Sequence, residues 1–177
     1  MRAGTRVGVD VGTVRVGVAS CDPAGILATP VQTLRRGRGD LAAVAELVAQ
    51  RAAIEVVVGL PTSLSGKPGP AAGAAQAYAA ELAALVAVPV RLVDERFSTS
   101  AAQRGLHASG VDTRKGRSVI DQAAAVIILQ SALDAERASG RPPGRVVDPA
   151  NDAHDAHEVR AGNVDRGPHD TSRRPSR

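Results

Sequence analysis

The chain contains no tryptophan, and only one phenylalanine, one tyrosine, one methionine and one cysteine in its 177 residues. Without aromatic rings, a core has to be assembled from Val, Leu, Ile and Ala. At 44% apolar content there is enough of them to do so. Cys21 stands alone, so no intrachain disulfide can form. No apolar run approaches the length of about 18 residues that a membrane span needs. Met1 to Asp10 carries charge and lacks the apolar centre of a signal peptide, so a cytoplasmic protein without a membrane partner is expected. Lysine is scarce as well: Lys67 and Lys115 are the only two, and arginine supplies the rest of the 22 basic residues. The net charge of +4 is compatible with a nucleic-acid partner, since the planar guanidinium fork suits phosphate, but charge alone does not identify one.

What is present alternates between strand and helix signals. Arg6 to Asp10 and Arg15 to Ser20 are Val-rich runs separated by Val11-Gly12-Thr13, which reads as a hairpin. Ile26 to Leu34 reads as a third strand, which Pro30 confines to an edge or a bulge. Asp40 suits the N-cap of a helix through Ala53, with Leu41, Val44, Ala45 and Val48 on one face. Ile54 to Leu60 and Pro89 to Glu95 are short apolar runs of the kind buried on both faces. An Ala-rich helix lies between them, ending near Val86, and follows a loop from Pro61 to Gly73. A shorter helix is expected from Ser98 to His107, and a long one from Ser118 to about Arg137. A hairpin meander followed by crossovers implies an α/β fold, a mixed five-stranded sheet with helices on both faces. From Ala138 to Arg177 the composition turns to Pro, Gly, Asp, Arg and His without apolar periodicity. A domain of residues 1–137 and a disordered tail of 138–177 are therefore expected, with His154, His157 and His169 solvated in the tail.

Strict alternation places Asp10 on the face of Gly8, and places Gly17 and Ala19 together on one face of the next strand. If the hairpin pairs those faces, Asp10 lies beside a patch nearly free of side chains, which a helix can approach closely. The last helix, with Ala123, Ala124 and Ala125 one turn after Asp121, is the best fit. Glu95 ends a buried strand, where sites collect in open α/β sheets. Three carboxylates brought together repel one another unless a cation joins them, and hard oxygen donors favour Mg²⁺ or Mn²⁺. Simpler readings also fit. Ser118-Val119-Ile120-Asp121 matches a capping box, Asp10 can be a turn residue before Gly12, and Asp94-Glu95-Arg96 can be a surface charge cluster.

Four segments taken together narrow these alternatives. Asp10-Val11-Gly12-Thr13-Val14-Arg15-Val16-Gly17, Val58-Gly59-Leu60-Pro61, Asp94-Glu95-Arg96-Phe97-Ser98-Thr99 and Ile120-Asp121-Gln122-Ala123-Ala124-Ala125-Val126 stand in order within Thr5 to Asp134. This set resembles the YqgF family of pre-16S ribosomal RNA nucleases, also described as Holliday junction resolvase-like. The resemblance departs in the loop Thr62 to Pro70 and stops short of the tail. It implies an RNase H-like fold, with Asp10, Glu95 and Asp121 as catalytic carboxylates holding Mg²⁺ or Mn²⁺. It further implies two-metal phosphodiester hydrolysis leaving a 5′-phosphate and a 3′-hydroxyl. Pre-16S rRNA is the implied partner in ribosome biogenesis, and a four-way DNA junction is the alternative. Arg15, Arg96, Lys115 and Arg117 are the basic residues expected to contact phosphate, and a monomer and a dimer are both open. The Asp10-Val11-Gly12-Thr13 turn also resembles that of sugar-kinase and actin-type ATPases. Those proteins need two such domains and a second Asp-Gly motif, which this chain lacks. A non-catalytic RNA-binding factor that retains the acids is a further alternative.

Overall fold

The alternation read from the first two strands is realised in the register of the sheet. The computed structural model describes residues 1–61, 69–94 and 114–152, and for 114–121 the helical backbone alone. Strand β1 (Arg6–Val11) pairs antiparallel with β2 (Arg15–Cys21), setting Gly8 opposite Ala19 and Asp10 opposite Gly17. Strand β3 (Ala28–Arg35) pairs antiparallel with β2 and forms one edge. Its register shifts where β2 passes from Val18, paired with Gln32, to Ala19, paired with Pro30. The proline thus occupies both the edge and the irregularity that its missing N–H demands. The strand begins at Ala28 and not Ile26, because the Asp22 carboxylate accepts the N–H groups of Ala24, Ile26 and Leu27 and folds that segment into a turn.

Helix α1 (Asp40–Gln50) starts with Gly39, not Asp40, at the N-cap, and it stops earlier than the apolar pattern suggests. Ala52 takes a left-handed φ of 46°, and the Ala53 N–H returns to the Val48 carbonyl at 3.0 Å, which closes the helix. Strand β4 (Glu55–Leu60) pairs parallel with β1, and β5 (Val90–Asp94) pairs parallel with β4. Helix α2 (Pro70–Ala83) connects them. Helix α3 (Arg114–Ser139) is the long helix, and it begins before Ser118. The Arg-Lys-Gly-Arg stretch at its start carries no apolar periodicity, which is why the pattern misses that turn. The expected helix from Ser98 to His107 lies outside the described residues.

The sheet order is β3-β2-β1-β4-β5-β6, six strands where five were expected. The sixth, β6 (Arg145–Val146), comes from the segment read as tail. It pairs antiparallel with β5, buries Val147 to 5% exposure, and is closed by an Arg145–Asp152 ion pair of 2.6 Å. Residues 138–152 therefore belong to the fold. A two-residue strand is too short to show any periodicity in sequence, so composition alone hid it.

The two faces of the sheet carry separate cores. On one, Val7, Val9, Val16, Val18, Val56, Val58 and Leu92 meet α1 and α2 through Val44, Tyr78, Ala79 and Leu82. On the other, Ala19, Cys21, Val57 and Val93 meet α3 through Ala125, Ile128, Leu129, Ala132 and Leu133. The C-terminal half of α3 is tied down by ion pairs. Arg6 and Glu55 are buried on β1 and β4, and Glu136 is buried on α3. Arg6 reaches Glu55 at 3.2 Å and Glu136 at 3.1 Å. Arg2 bridges the same two carboxylates at 2.7 and 3.0 Å, and Arg91 holds the other Glu55 oxygen at 3.0 Å. The hydrogen-bonded Arg2 guanidinium pulls the Glu136 carboxyl down from 4.5 to about 2, against the opposing effect of burial.

Two outcomes are expected. A chain ending at Ser139 melts below one ending at Asp152, by about 1–3 kcal/mol in urea denaturation, since it loses β6 and the buried Val147. Because folding depresses the Glu136 pKa, its contribution is complete above the unfolded value near 4.5 and is lost as pH falls toward 2. Glu136→Gln is therefore less stable at neutral pH and has a flatter stability profile across that interval than the parent, by thermal melts from pH 2 to 6.

Candidate active site

Asp10 is the fifth residue of β1 and is partly buried on the α3 face. Its neighbour on β2 is Gly17. On the other side, Val9 pairs with Val58 of β4, so the alternation that sets Val57 beside Gly8 continues to Gly59 beside Asp10. The carboxylate thus rises from a row with glycine on each flank, so neither neighbouring strand places a side chain beside it.

The approach of α3 is equally dependent on small residues. A Cβ added to Gly8 would lie 2.6 Å from the Leu129 Cβ and 3.1 Å from the Ala125 carbonyl oxygen, so the helix backbone rests almost directly on β1. Glu136 meets Arg6, while Ala125 and Leu129 cover Gly8. Helix α3 therefore runs antiparallel to β1, its N-terminal part directed toward the end of the strand that carries Asp10. Gln130 fixes the lateral position: its Oε1 accepts the Ala28 N–H at 2.9 Å, and its Nε2 donates to the Ile26 carbonyl at 3.1 Å.

The other residues singled out from the sequence are placed as follows. Asp121 is inside α3, in its second turn, and Ser118 is helical rather than a non-helical N-cap, which removes the capping-box reading. The side chains of Asp121, Lys115 and Arg117 lie outside the described residues, as do Glu95 and Arg96 entirely. Asp94 ends β5, paired in register with Leu60. Alternation puts Asp94 with Leu92 on the α1–α2 face, whereas Val93 faces α3. Asp94 and Asp10 are therefore on opposite faces of the sheet. Arg15 opens β2 on the same face as Asp10, and its carbonyl accepts the Gly12 N–H at 2.9 Å, tightening the hairpin turn. Among the described residues, no cluster of three His, Cys, Asp or Glu side chains could hold a metal. Sequence reasoning missed the Arg2–Arg6–Glu55–Arg91–Glu136 network, whose members are scattered along the chain and share no local motif.

Residues 4–135 match the family model described as RuvX: Holliday junction resolvase. The chain belongs to that family. A relative from Streptomyces coelicolor, named "Putative pre-16S rRNA nuclease", is 62% identical over 152 residues, covering 84% of this chain and 90% of its own. One of the same name from a Nocardioides species is 55% identical over 154 residues, covering 84% of this chain and 99% of its own. Among solved structures, Thermus thermophilus RuvC in complex with a Holliday junction substrate superposes with a TM-score of 0.53 at 15% identity, covering 79% of this chain and 99% of that one. At that identity the match speaks for the RNase H-like fold alone, and it agrees with the sheet and helix layers described above. Membership of this RuvX family makes the protein a nuclease, a hydrolase of phosphodiester bonds. No helix among the described residues is long and apolar enough to cross a membrane.

The contact at Gly8 gives a direct test of how closely α3 must sit. Gly8→Val forces α3 off β1, and a loss of about 1–3 kcal/mol is expected from the overpacking, measured by urea denaturation. Nuclease activity assayed well below the melting temperature should fall more than the folded fraction does, because the displaced helix carries Asp121, one of the carboxylates expected from the sequence.

Proposed function

We propose that the protein is a divalent-metal-dependent endonuclease that matures the 5′ end of pre-16S rRNA in the cytoplasm, with Asp10, Glu95 and Asp121 as its metal-binding carboxylates. The observation that carries this reading is the antiparallel crossing of α3 over the Gly8–Ala19 pair. One two-residue step along a strand, about 6.6 Å, matches roughly four residues of helix. Moving from Gly8 to Asp10 thus corresponds to moving from Ala125 and Leu129 toward Asp121 and Ala125, which supports Asp121 at the level of Asp10. For Glu95 the support is alternation: Asp94 is on the far face, and one further residue of strand would return to the face of Val93 and Asp10.

All three proposed ligands offer carboxylate oxygens, a hard donor set that fits Mg²⁺ or Mn²⁺ and does not fit softer metals. Glycine at positions 17 and 59 puts no side chain from either neighbouring strand beside Asp10, where such an ion and a phosphate would lie. A bound divalent ion supplies a lowered pKa for attacking water and charge neutralisation at the phosphate. The chain's own part is positional. Asp10 is held on a central strand with little freedom, which keeps its carboxylate aimed along the α3 face. Arg15, on that same face, is proposed with Arg96, Lys115 and Arg117 to meet substrate phosphates. The rRNA assignment rests on the names of relatives more than 50% identical to this chain, and the structural neighbour's DNA junction makes a four-way junction the second substrate to test.

Purified protein with Mn²⁺ should cleave a precursor 16S rRNA fragment, and Asp10→Asn should abolish the cleavage. Glu95→Gln should abolish it too, whereas Asp94→Asn should keep a measurable rate, since its side chain leaves the opposite face. Loss in Asp94→Asn with activity retained in Glu95→Gln would overturn the assignment of Glu95. Preferential cleavage of a four-way DNA junction over the RNA would overturn the substrate.

A further inference from the structure

The stretch Leu34-Arg35-Arg36-Gly37-Arg38-Gly39-Asp40 sets three arginines where β3 passes into α1, and the structure uses them differently. Arg36 is packed into the fold. Its guanidinium lies 4.7 Å over the Tyr78 ring centroid, and its Nε is 3.5 Å from the Asp40 carboxylate. Arg35 and Arg38 are exposed, and neither forms an ion pair with a described acid. They are presented on a fixed backbone. The Arg36 N–H donates to the Val14 carbonyl at 2.9 Å, the Asp40 N–H donates to the Gly37 carbonyl at 3.3 Å, and the Gly37 N–H donates to the Asp40 carboxylate at 3.4 Å. Gly37 and Gly39, with φ of 133° and 94°, take conformations that other residues rarely adopt, so the loop can hold this shape around Arg38.

The position of these two arginines matters more than their charge. Asp10 pairs with Gly17, which pairs with Thr33. Arg15 pairs with Arg35 in the next row of the same face. Arg35 therefore stands on the Asp10 face, at the Asp10 end of the sheet. It is two strands across and one row beyond, about 12 Å away from the spacing and rise of strands. Arg38 follows on the loop anchored to Val14 at the same end. At about 3.4 Å per nucleotide of a duplex strand, that separation spans roughly three or four nucleotides.

We propose that Arg35 and Arg38 are substrate-binding residues that grip the phosphodiester backbone of the nucleic acid a few nucleotides from the bond cleaved, along the β3 edge of the sheet. The proposal rests on the reading of the Asp10 end as the cleavage site. The competing explanation is that exposed arginines on an edge strand only prevent strand-to-strand association. A basic contact that neutralises phosphate leaves a mark that edge protection does not, because each phosphate contacted releases counterions and steepens the salt dependence of binding.

The experiment measures binding of the full chain carrying Asp10→Asn to a fluorescein-labelled RNA hairpin and, separately, to a labelled four-way DNA junction, across a series of KCl concentrations. Arg35→Gln with Arg38→Gln should weaken binding about tenfold and reduce the slope of log affinity against log salt by about 1.5–2. Arg35→Lys with Arg38→Lys should keep most of the slope, and Arg141→Gln, an exposed arginine beyond the far end of α3, should leave it unchanged. A thermal melt accompanies each variant. If the double variant is unstable, the loop variant Arg38→Gln alone should show about half the change in slope. A reduced slope on both probes supports a grip on the shared phosphodiester backbone. A reduced slope on one probe supports it for that nucleic acid. An unchanged slope overturns the proposal, as does an equal drop in Arg141→Gln or self-association at unchanged affinity. If Asp10→Asn still cleaves, the catalytic reading fails, while the salt slope still decides whether these arginines bind.

Discussion

The structure depends on one close contact, the seating of α3 on the strip of β1 and β2 that has no large side chains. Gly8 and Ala19 face each other across the hairpin, and the helix descends until Ala125 and Leu129 touch the strand. Apolar burial under Ile128, Ala132 and Leu133 supplies the attraction, but burial has no direction and would tolerate a helix slid by a turn. What fixes the slide is polar. Glu136 at one point along the helix and Gln130 at another are held by groups of the sheet and the β2–β3 turn. Buried ion pairs of this kind contribute little net stability, because desolvation offsets most of the attraction. Their effect here is registry.

Registry matters for the proposed site, because Asp121 is toward the other end of the same helix. A turn of slip moves Asp121 by about 5.4 Å along the strand that carries Asp10. The sheet therefore divides its length between two tasks. At the Arg6 end, closely packed arginines and glutamates hold α3 in place. At the Asp10 end, the strand neighbours of Asp10 are glycines, at positions 17 and 59. The ion-paired end and the end proposed for catalysis are thus separated by a few strand residues.

The two edges of the sheet are also treated differently. At β5, the polypeptide returns after α3 and covers the strand with β6, and Val147 closes the core beneath. At β3, no strand follows among the described residues. A proline and an irregular register stand there instead, features that disfavour pairing with another chain.

Much of this was legible in the residues themselves. Period-two alternation settled which side of β1 carries Asp10, and the small residues at 8, 17 and 19 announced a helix at close range, because a side chain's face in a strand follows from its position alone. Pro30 announced an edge for the same kind of local reason. Other features were decided only by tertiary structure. A strand of two residues has no period, so Arg145 and Val146 resembled a tail until β5 offered its hydrogen bonds. The start of α3 was hidden because a first turn without apolar residues gives no amphipathic signal. Whether Arg35, Arg36 or Arg38 is structural could not be read from their order, since it depends on Tyr78 and Asp40 arriving from two helices. The local chain determined which faces and turns were possible. The long-range meeting of α3 with the sheet decided which end of β1 the N-terminal part of that helix approaches, because that proximity exists only between segments more than a hundred residues apart.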